Sequence, residues 1–202
     1  MKNRGLASAV ELVHLFISQV LLPGGVAVDA TAGNGCDTLF LARQVGPSGR
    51  VYAFDIQEEA LLATQKLLES RGADRQVTMF RRGHEELGLL VFETINAAIF
   101  NLGYLPGGDH HLITKPDTTI AALTAAVTLL QPGGRIGLVV YTGHPGAPEE
   151  LSALEGYFKG LAPGEYSVIK TTYINRSLQA PIIFFLEKAG FFNEIRATGK
   201  DS

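Results

Sequence analysis

A chain of 202 residues with 46% hydrophobic and 18% charged content suits one domain, spanning 1–202, with a substantial core, and excludes a disordered protein. The formal net charge of −3 excludes a surface built for nonspecific capture of nucleic acid, while leaving room for a local basic patch that reads a structured RNA. No apolar run approaches the roughly 18 residues of a membrane span, no signal-peptide pattern follows Met1-Lys2-Asn3-Arg4-Gly5, and a single cysteine precludes an internal disulfide, so we expect a cytoplasmic protein with no membrane partner.

In chain order, the first predicted helix runs from about Ser8 to Leu22, with Val10, Val13, Leu15, Phe16, Ile17 and Val20 on its apolar positions and Pro23-Gly24-Gly25 as its stop. His14 lies inside it and is read as a packing histidine in preference to a pocket residue. The next stretch, Val26 to Thr38, opens as a buried strand ending in Asp29, passes through Gly33 and Gly35, and turns helical from Asp37. Strand, glycine turn and helix together bring backbone N–H groups and a helix N-terminus to the carboxyl edge of a sheet, where a ligand binds. Only glycine takes positive φ there without a Cβ clash. Cys36, inside the turn, is read as a small packing residue.

The dinucleotide fingerprint G-x-G-x-x-G/A would need a small residue where Thr38 stands. A carboxylate at Asp29, ahead of the glycines, repels a pyrophosphate and suits a ligand that carries an ammonium group. This stretch resembles motif I of the class I S-adenosylmethionine-dependent methyltransferases. The resemblance implies Asp29, Ala30, Gly33, Asn34, Gly35, Asp37 and Thr38 as cofactor-binding positions.

The second strand, Arg50 to Asp55, again ends in a carboxylate, followed by a helix from Gln57 to about Arg71. Asp55 is placed to accept both ribose hydroxyls, with Gln57 bordering the adenosine; a plain helix cap is the alternative. Val77 to Arg81 is the third strand. His84 and Glu85 follow it as candidate contacts to the adenine, and a surface-loop role for His84 stays open. Arg81 and Arg82 are candidate phosphate contacts or solvated side chains.

The fourth strand, Ile95 to Phe100, runs into the glycine-rich stretch Asn101 to His111 at the same sheet edge. A helix from Thr118 to Leu130, a strand from Arg135 to Tyr141, a loop over Thr142-Gly143-His144-Pro145-Gly146 and a helix from about Pro148 to Leu161 follow. Tyr166 to Tyr173 and Pro181 to Glu187 are strand-like, and the seven residues between them are too few for a crossover, so the two are antiparallel neighbours. The expected fold is α/β: a Rossmann-like class I methyltransferase sheet of five parallel βα units plus a C-terminal antiparallel strand pair. A nicotinamide dehydrogenase would carry a further parallel unit and a substrate domain.

Asp29 to Thr38, Phe54-Asp55-Ile56-Gln57, Gly83-His84-Glu85, Asn101-Leu102-Gly103-Tyr104-Leu105-Pro106-Gly107-Gly108-Asp109, Tyr141 to Gly146, and Asn175 with Ala180-Pro181 together resemble the small bacterial "putative rRNA methylase", or YtqB-like, family. Nearly the whole chain is covered. Members are understood as MnmM-type tRNA methyltransferases, which act on the aminomethyl nitrogen of 5-aminomethyl-2-thiouridine at the wobble position. The resemblance implies S-adenosyl-L-methionine as cofactor, S-adenosyl-L-homocysteine as product, a tRNA anticodon stem-loop as partner and a homodimer. Asn101 also resembles the Asn of the Asn-Pro-Pro-Tyr motif of amino-methylating enzymes. That implies its side-chain oxygen, with the Leu102 carbonyl, as the acceptor for the amine, and Gly103 as a further substrate-binding position. Tyr104 is placed to stack on the uracil, Asp109 or His110 to take a proton, and His144, Asn175 and Arg176 to touch RNA. The family pattern has a lysine where this chain has His110, which would alter RNA affinity or its pH dependence if that side chain holds RNA. Asp109, His110, His111 and His144 have metal-ligand chemistry, but adjacent histidines point apart and methyl transfer to nitrogen needs no metal, so none is expected. Competing readings are an rRNA base or small-molecule amine methyltransferase, and a noncatalytic RNA-binding protein with a vestigial pocket.

Overall fold

The computed structural model describes residues 6, 8–103, 114–143, 145–177 and 179–190. The strands are β1 (Val26–Asp29), β2 (Arg50–Asp55), β3 (Val77–Arg81), β4 (Ile95–Leu102), β5 (Leu130–Val140), β6 (Tyr166–Thr171) and β7 (Ile182–Lys188). They form one sheet in the order β3-β2-β1-β4-β5-β7-β6. The first five pair in parallel, while β7 runs antiparallel to both β5 and β6. This is the expected class I methyltransferase sheet, with β7 inserted between β5 and β6.

Helices α1 (Ala9–Ser18), α2 (Cys36–Val45) and α3 (Glu58–Glu69) cover one face; α4 (Leu87–Leu90), α5 (Pro116–Leu129) and α6 (Ala147–Lys159) cover the other. The split follows strand parity. Val28, Phe54, Phe100 and Leu138 join the α4–α6 core, while Ala27, Val51, Ile99 and Val139, each at the opposite parity on the same strand, join the α1–α3 core. Each fully buried Leu, Ile or Phe side chain here is worth roughly 1.5–3 kcal/mol.

Parity also places the candidate site. Asp29 pairs with Ala53 and with Ile99, so Asp29, Asp55 and Asn101, each in step by twos, all belong to the α1–α3 face at the carboxyl ends of their strands. Helix α1 is pressed close to β5 because Gly137 has no side chain: a Cβ there would stand 2.5 Å from Val13 Cγ1. Arg135 holds the far end of the helix, donating to the Phe16 carbonyl at 2.8 Å and to Glu187 at 2.6 Å.

Several boundaries differ from the sequence reading. Helix α1 ends at Ser18 and passes into a tighter turn, in which Val20 N–H as well as Leu21 N–H donates to the Ile17 carbonyl. Strand β4 continues through Asn101 and Leu102, which pair with Val139 and Val140. Leu130 already pairs with Ile95, and Gln131–Gly134 continue the strand through a shift in register before Arg135 pairs with Ala97, so β5 starts earlier than Arg135. The short helix α4 after β3 was not anticipated.

Candidate active site

The turn after β1 is bonded from within. Thr31 N–H donates to Asp29 Oδ1 at 3.1 Å, and Ala32 N–H to the Phe54 carbonyl at 2.8 Å. Gly33 N–H donates to Asp55 Oδ2 at 2.9 Å, and Gly35 N–H to the Ala32 carbonyl at 2.8 Å. The expectation that these amides face a ligand is therefore corrected: they are spent inside the protein. These four amides are not available to cradle a phosphate, while Gly35 leaves the N-terminus of α2 without a side-chain cap. Gly35 has φ +80°, and a Cβ there would meet Thr64 of α3 at 2.9 Å. Thr64 in turn donates its hydroxyl to the Gly33 carbonyl at 3.1 Å, locking the turn against α3.

Asp29 is fully buried, and its second oxygen accepts the hydroxyl of the equally buried Thr38 at 2.6 Å. Burial, then the nearby charge of Asp37, pushes its carboxyl up to about 7, against the bonds from Thr38 and Thr31. Asp29 and Thr38 thus form the underside of the turn; their polar atoms meet each other. Asn34 is exposed at the crest, and Ala30 is buried. Cys36 is corrected from packing residue to exposed residue at the start of α2, with its thiol pushed up by burial and then by Asp37 and Asp29.

Asp37, nearly buried in the first turn of α2, is the junction of the site. Its Oδ2 accepts from Asn101 Nδ2 at 3.0 Å and its Oδ1 from His14 Nε2 at 2.6 Å. The His14 ring stacks on Phe40, centroids 3.8 Å apart and planes 3° from parallel. His14 is therefore tied to the site. Asn101 N–H donates to Thr31 Oγ1 at 2.7 Å, fastening the tip of β4 to the β1 turn. Asn101 Oδ1 is buried and has no hydrogen-bond partner among the described residues.

Asp55 caps its own segment by accepting from Gln57 N–H at 2.9 Å while holding Gly33 with its other oxygen. Each oxygen keeps a lone pair, and the residue is only half-buried, so the cap leaves Asp55 with capacity for a ligand. Gln57 is half-buried and Glu85 exposed, the latter folded over Gly83, whose missing Cβ leaves that space. His84 departs from a surface-loop placement: it is 7% exposed, donates from Nδ1 to the Ala30 carbonyl at 3.2 Å, and lies beside Phe100. Burial pushes its imidazole down, although the Ala30 carbonyl pulls the other way. Arg81 pairs with Glu58 at 2.5 Å, and Arg82 lies 3.8 Å from Glu86, so neither is an unattached cation; such exposed pairs are weak enough to exchange for phosphate.

The Leu102 side chain is core, and its carbonyl accepts Tyr141 N–H at 3.1 Å, leaving one lone pair. The Gly103 carbonyl accepts Thr114 N–H at 3.2 Å. Tyr104, Asp109, His110, His111 and His144 lie outside the described residues. Asn175 and Arg176 are exposed in the connection between β6 and β7, at the same carboxyl edge, since Thr171 pairs with Ile183 and Ile182 with Val140. The Arg176 guanidinium lies 3.8 Å over the Tyr173 ring.

Sequence reasoning missed Thr31, His14 as a partner of Asp37, and Glu150. Glu150 is buried and accepts the hydroxyls of Thr114 and Thr119 at 3.0 and 2.7 Å, tying Thr114 and the first turn of α5 to α6. In sequence it looked like an ordinary acid in the first turn of a helix.

Residues 51–187 match the model of the family described as "Putative rRNA methylase". The chain belongs to this family. It is 41% identical over 194 residues to a chloroplastic tRNA (mnm5s2U34)-methyltransferase of Arabidopsis thaliana, covering 91% of this chain and 70% of that one. A "putative rRNA-methylase" of Clostridium thermocellum superposes with a TM-score of 0.88 at 38% identity, over 91% of this chain and 99% of its own. A "putative methyltransferase" of Streptococcus mutans, solved in complex with SAH, superposes with a TM-score of 0.82 at 37% identity, over 90% and 98%. The family membership and the sheet agree on a class I methyltransferase fold. No helix among the described residues is long and apolar enough to cross a membrane.

Proposed function

We propose that this protein is an S-adenosylmethionine-dependent N-methyltransferase that methylates the aminomethyl nitrogen of 5-aminomethyl-2-thiouridine at the tRNA wobble position, within the anticodon stem-loop. The carrying observation is the unpartnered, buried Asn101 Oδ1 at the tip of β4, in a chain 41% identical to a tRNA (mnm5s2U34)-methyltransferase. Leaving such an acceptor unpaired costs about 1–3 kcal/mol, which a donor on the substrate would recover.

S-adenosylmethionine supplies a methyl group made electrophilic by its sulfonium and carries no phosphate, which fits a turn with no unspent amides at Thr31, Ala32, Gly33 and Gly35. Asp55 takes the ribose hydroxyls on its remaining lone pairs, with Gln57 beside the adenosine and Asn34 and Glu85 at the rim. Asp29, Thr38 and His84 support the turn from beneath. Gly35 gives the close packing on α3, and Ala30 carries the His84 bond. Asn101 Oδ1 accepts one amine N–H, the remaining lone pair of the Leu102 carbonyl accepts another, and the nitrogen lone pair then faces the methyl group. An aliphatic ammonium has a pKa of about 10.4, so the site must receive the neutral amine; desolvation favours that form. As the N–C bond forms, the C–S electron pair goes to sulfur, and the resulting secondary ammonium releases a proton to water.

Tyr104 stacks on the uracil, Asp109 and His110 border the amine, and Gly103, His144, Asn175 and Arg176 meet RNA in this reading. It places the protein in the cytoplasm and as a homodimer; β6 is an edge strand with Ile169 62% exposed, a ladder open to a second copy. Sedimentation equilibrium giving only monomer would remove the dimer. Nucleoside mass spectrometry of tRNA from a strain lacking the protein tests the activity. The expected result is accumulation of 5-aminomethyl-2-thiouridine with loss of its methylated form; an unchanged tRNA profile would overturn the reading.

A further inference from the structure

We propose that His14 is a positioning residue that, through Asp37, fixes the polarity of the Asn101 amide so that Oδ1 stays available for the amine. This rests on the functional reading above. The observations behind it are three residues from three elements in one unbroken chain of hydrogen bonds. His14 Nε2 lies 2.6 Å from Asp37 Oδ1, and Asp37 Oδ2 lies 3.0 Å from Asn101 Nδ2. The remaining polar atom at the far end, Asn101 Oδ1, is buried and unpartnered among the described residues.

The chemistry gives the chain a direction. A carboxylate only accepts, so His14 must donate from Nε2 and Asn101 must turn its NH2 toward Asp37. Its Oδ1 is then left on the other side. Were Asp37 to lose the His14 donor, this buried carboxylate would keep one oxygen without a donor and would no longer be held with its other oxygen toward Asn101. Asn101, released from that bond, could then rotate its amide and turn Oδ1 away from the amine's side.

The ring is held for this task. It is stacked on Phe40, and α1 is set at its depth by Val13 against Gly137, one residue away, and by Arg135 at its end. A histidine needed only for packing would not require a stacked ring, a fixed helix and a 2.6 Å bond to a buried carboxylate.

The test compares His14→Phe, which keeps the stack and removes the donor, with His14→Gln, which returns an N–H. The readouts are kcat and KM with tRNA bearing 5-aminomethyl-2-thiouridine, the Kd for S-adenosylhomocysteine, and the Asn101 side-chain amide resonances in a 1H–15N spectrum. In His14→Phe we expect kcat to fall about ten- to a hundredfold from the lost alignment. The Kd should stay within about twofold, and the Asn101 resonances should shift. His14→Gln should recover part of kcat and the resonance position. Unchanged kcat in His14→Phe, or kcat and Kd falling together with the Asn101 resonances unmoved, overturns the proposal. Should the wild type fail to methylate this tRNA, the functional reading falls separately, and the resonance and Kd measurements still decide whether His14 sets the amide. Should His14→Phe fail to fold, the resonances in wild type and His14→Gln decide it: no Asn101 NH2 signature of a carboxylate bond in the wild type overturns the proposal.

Discussion

The underside of the β1 turn and the strand tips in front of it are built from similar residue types in different states. Beneath, Asp29, Thr38 and the turn amides consume one another's capacity, and Asp29 has no exposed surface. In front, Asp55 is half-buried with lone pairs in reserve, and Asn101 keeps a buried oxygen with no partner among the described residues. Two strands side by side both end in aspartate, yet one carboxylate holds the turn together and the other remains able to hold a ligand. Both accept one bond on each oxygen, so a strand-end carboxylate can meet a ligand only where it also keeps exposed surface, as Asp55 does and Asp29 does not.

Variants on the two sides should separate, and they rank by their effect on methyl transfer. Asn101→Ala removes the amine acceptor and should lower kcat by about 10²–10³-fold, with S-adenosylhomocysteine affinity within about twofold; steady-state kinetics beside calorimetry checks both. Retained turnover would break the assignment of the front. Asp55→Ala should weaken S-adenosylmethionine binding by about 2–3 kcal/mol, the worth of a charge-assisted bond pair, and calorimetry showing unchanged affinity removes Asp55 from the ribose role.

The underside predicts the reverse pattern. Thr38→Val keeps shape but orphans Asp29 Oδ2, and should cost about 1–3 kcal/mol in urea unfolding while the folded fraction binds the cofactor normally. A cofactor defect as large as that of Asp55→Ala would erase the distinction between the two sides. Asp29→Asn sharpens it through pH. The Asp29 carboxyl, raised from 3.8 to about 7 in the fold, favours the native state when protonated. Its contribution is fully present below about pH 4 and is lost as pH rises through about 7. The stability of the wild type relative to Asp29→Asn should therefore fall across that window in chemical denaturation; a flat difference would mean that Asp29 is not held protonated by burial.

Much of the frame was legible because it is written in short-range pattern. β2 and β3 match their expected bounds at Arg50–Asp55 and Val77–Arg81, since each is an apolar run closed by turn chemistry. The antiparallel end followed from the brief link between β6 and β7. What stayed hidden depends on distance along the chain. His14 meets Asp37 across 23 residues, and Asp37 meets Asn101 across 64, and no local pattern encodes either contact. Whether His84 is an adenine contact or a surface-loop residue stays open in the sequence because burial of a polar side chain after a strand leaves no mark there, and Glu150 is indistinguishable from a solvated helix-start acid. Parity was the unused signal: counting by twos along paired strands sends Asp29, Asp55 and Asn101 to one face, and α1 and α2 cover that face.

The most direct test of the central claim is a single-turnover transfer of labelled methyl from S-adenosylmethionine to purified tRNA bearing 5-aminomethyl-2-thiouridine, with the labelled nucleoside identified by mass spectrometry. The account predicts label on the aminomethyl nitrogen of the wobble uridine. Label appearing on a ring atom or on ribosomal RNA instead, with this tRNA untouched, would contradict it.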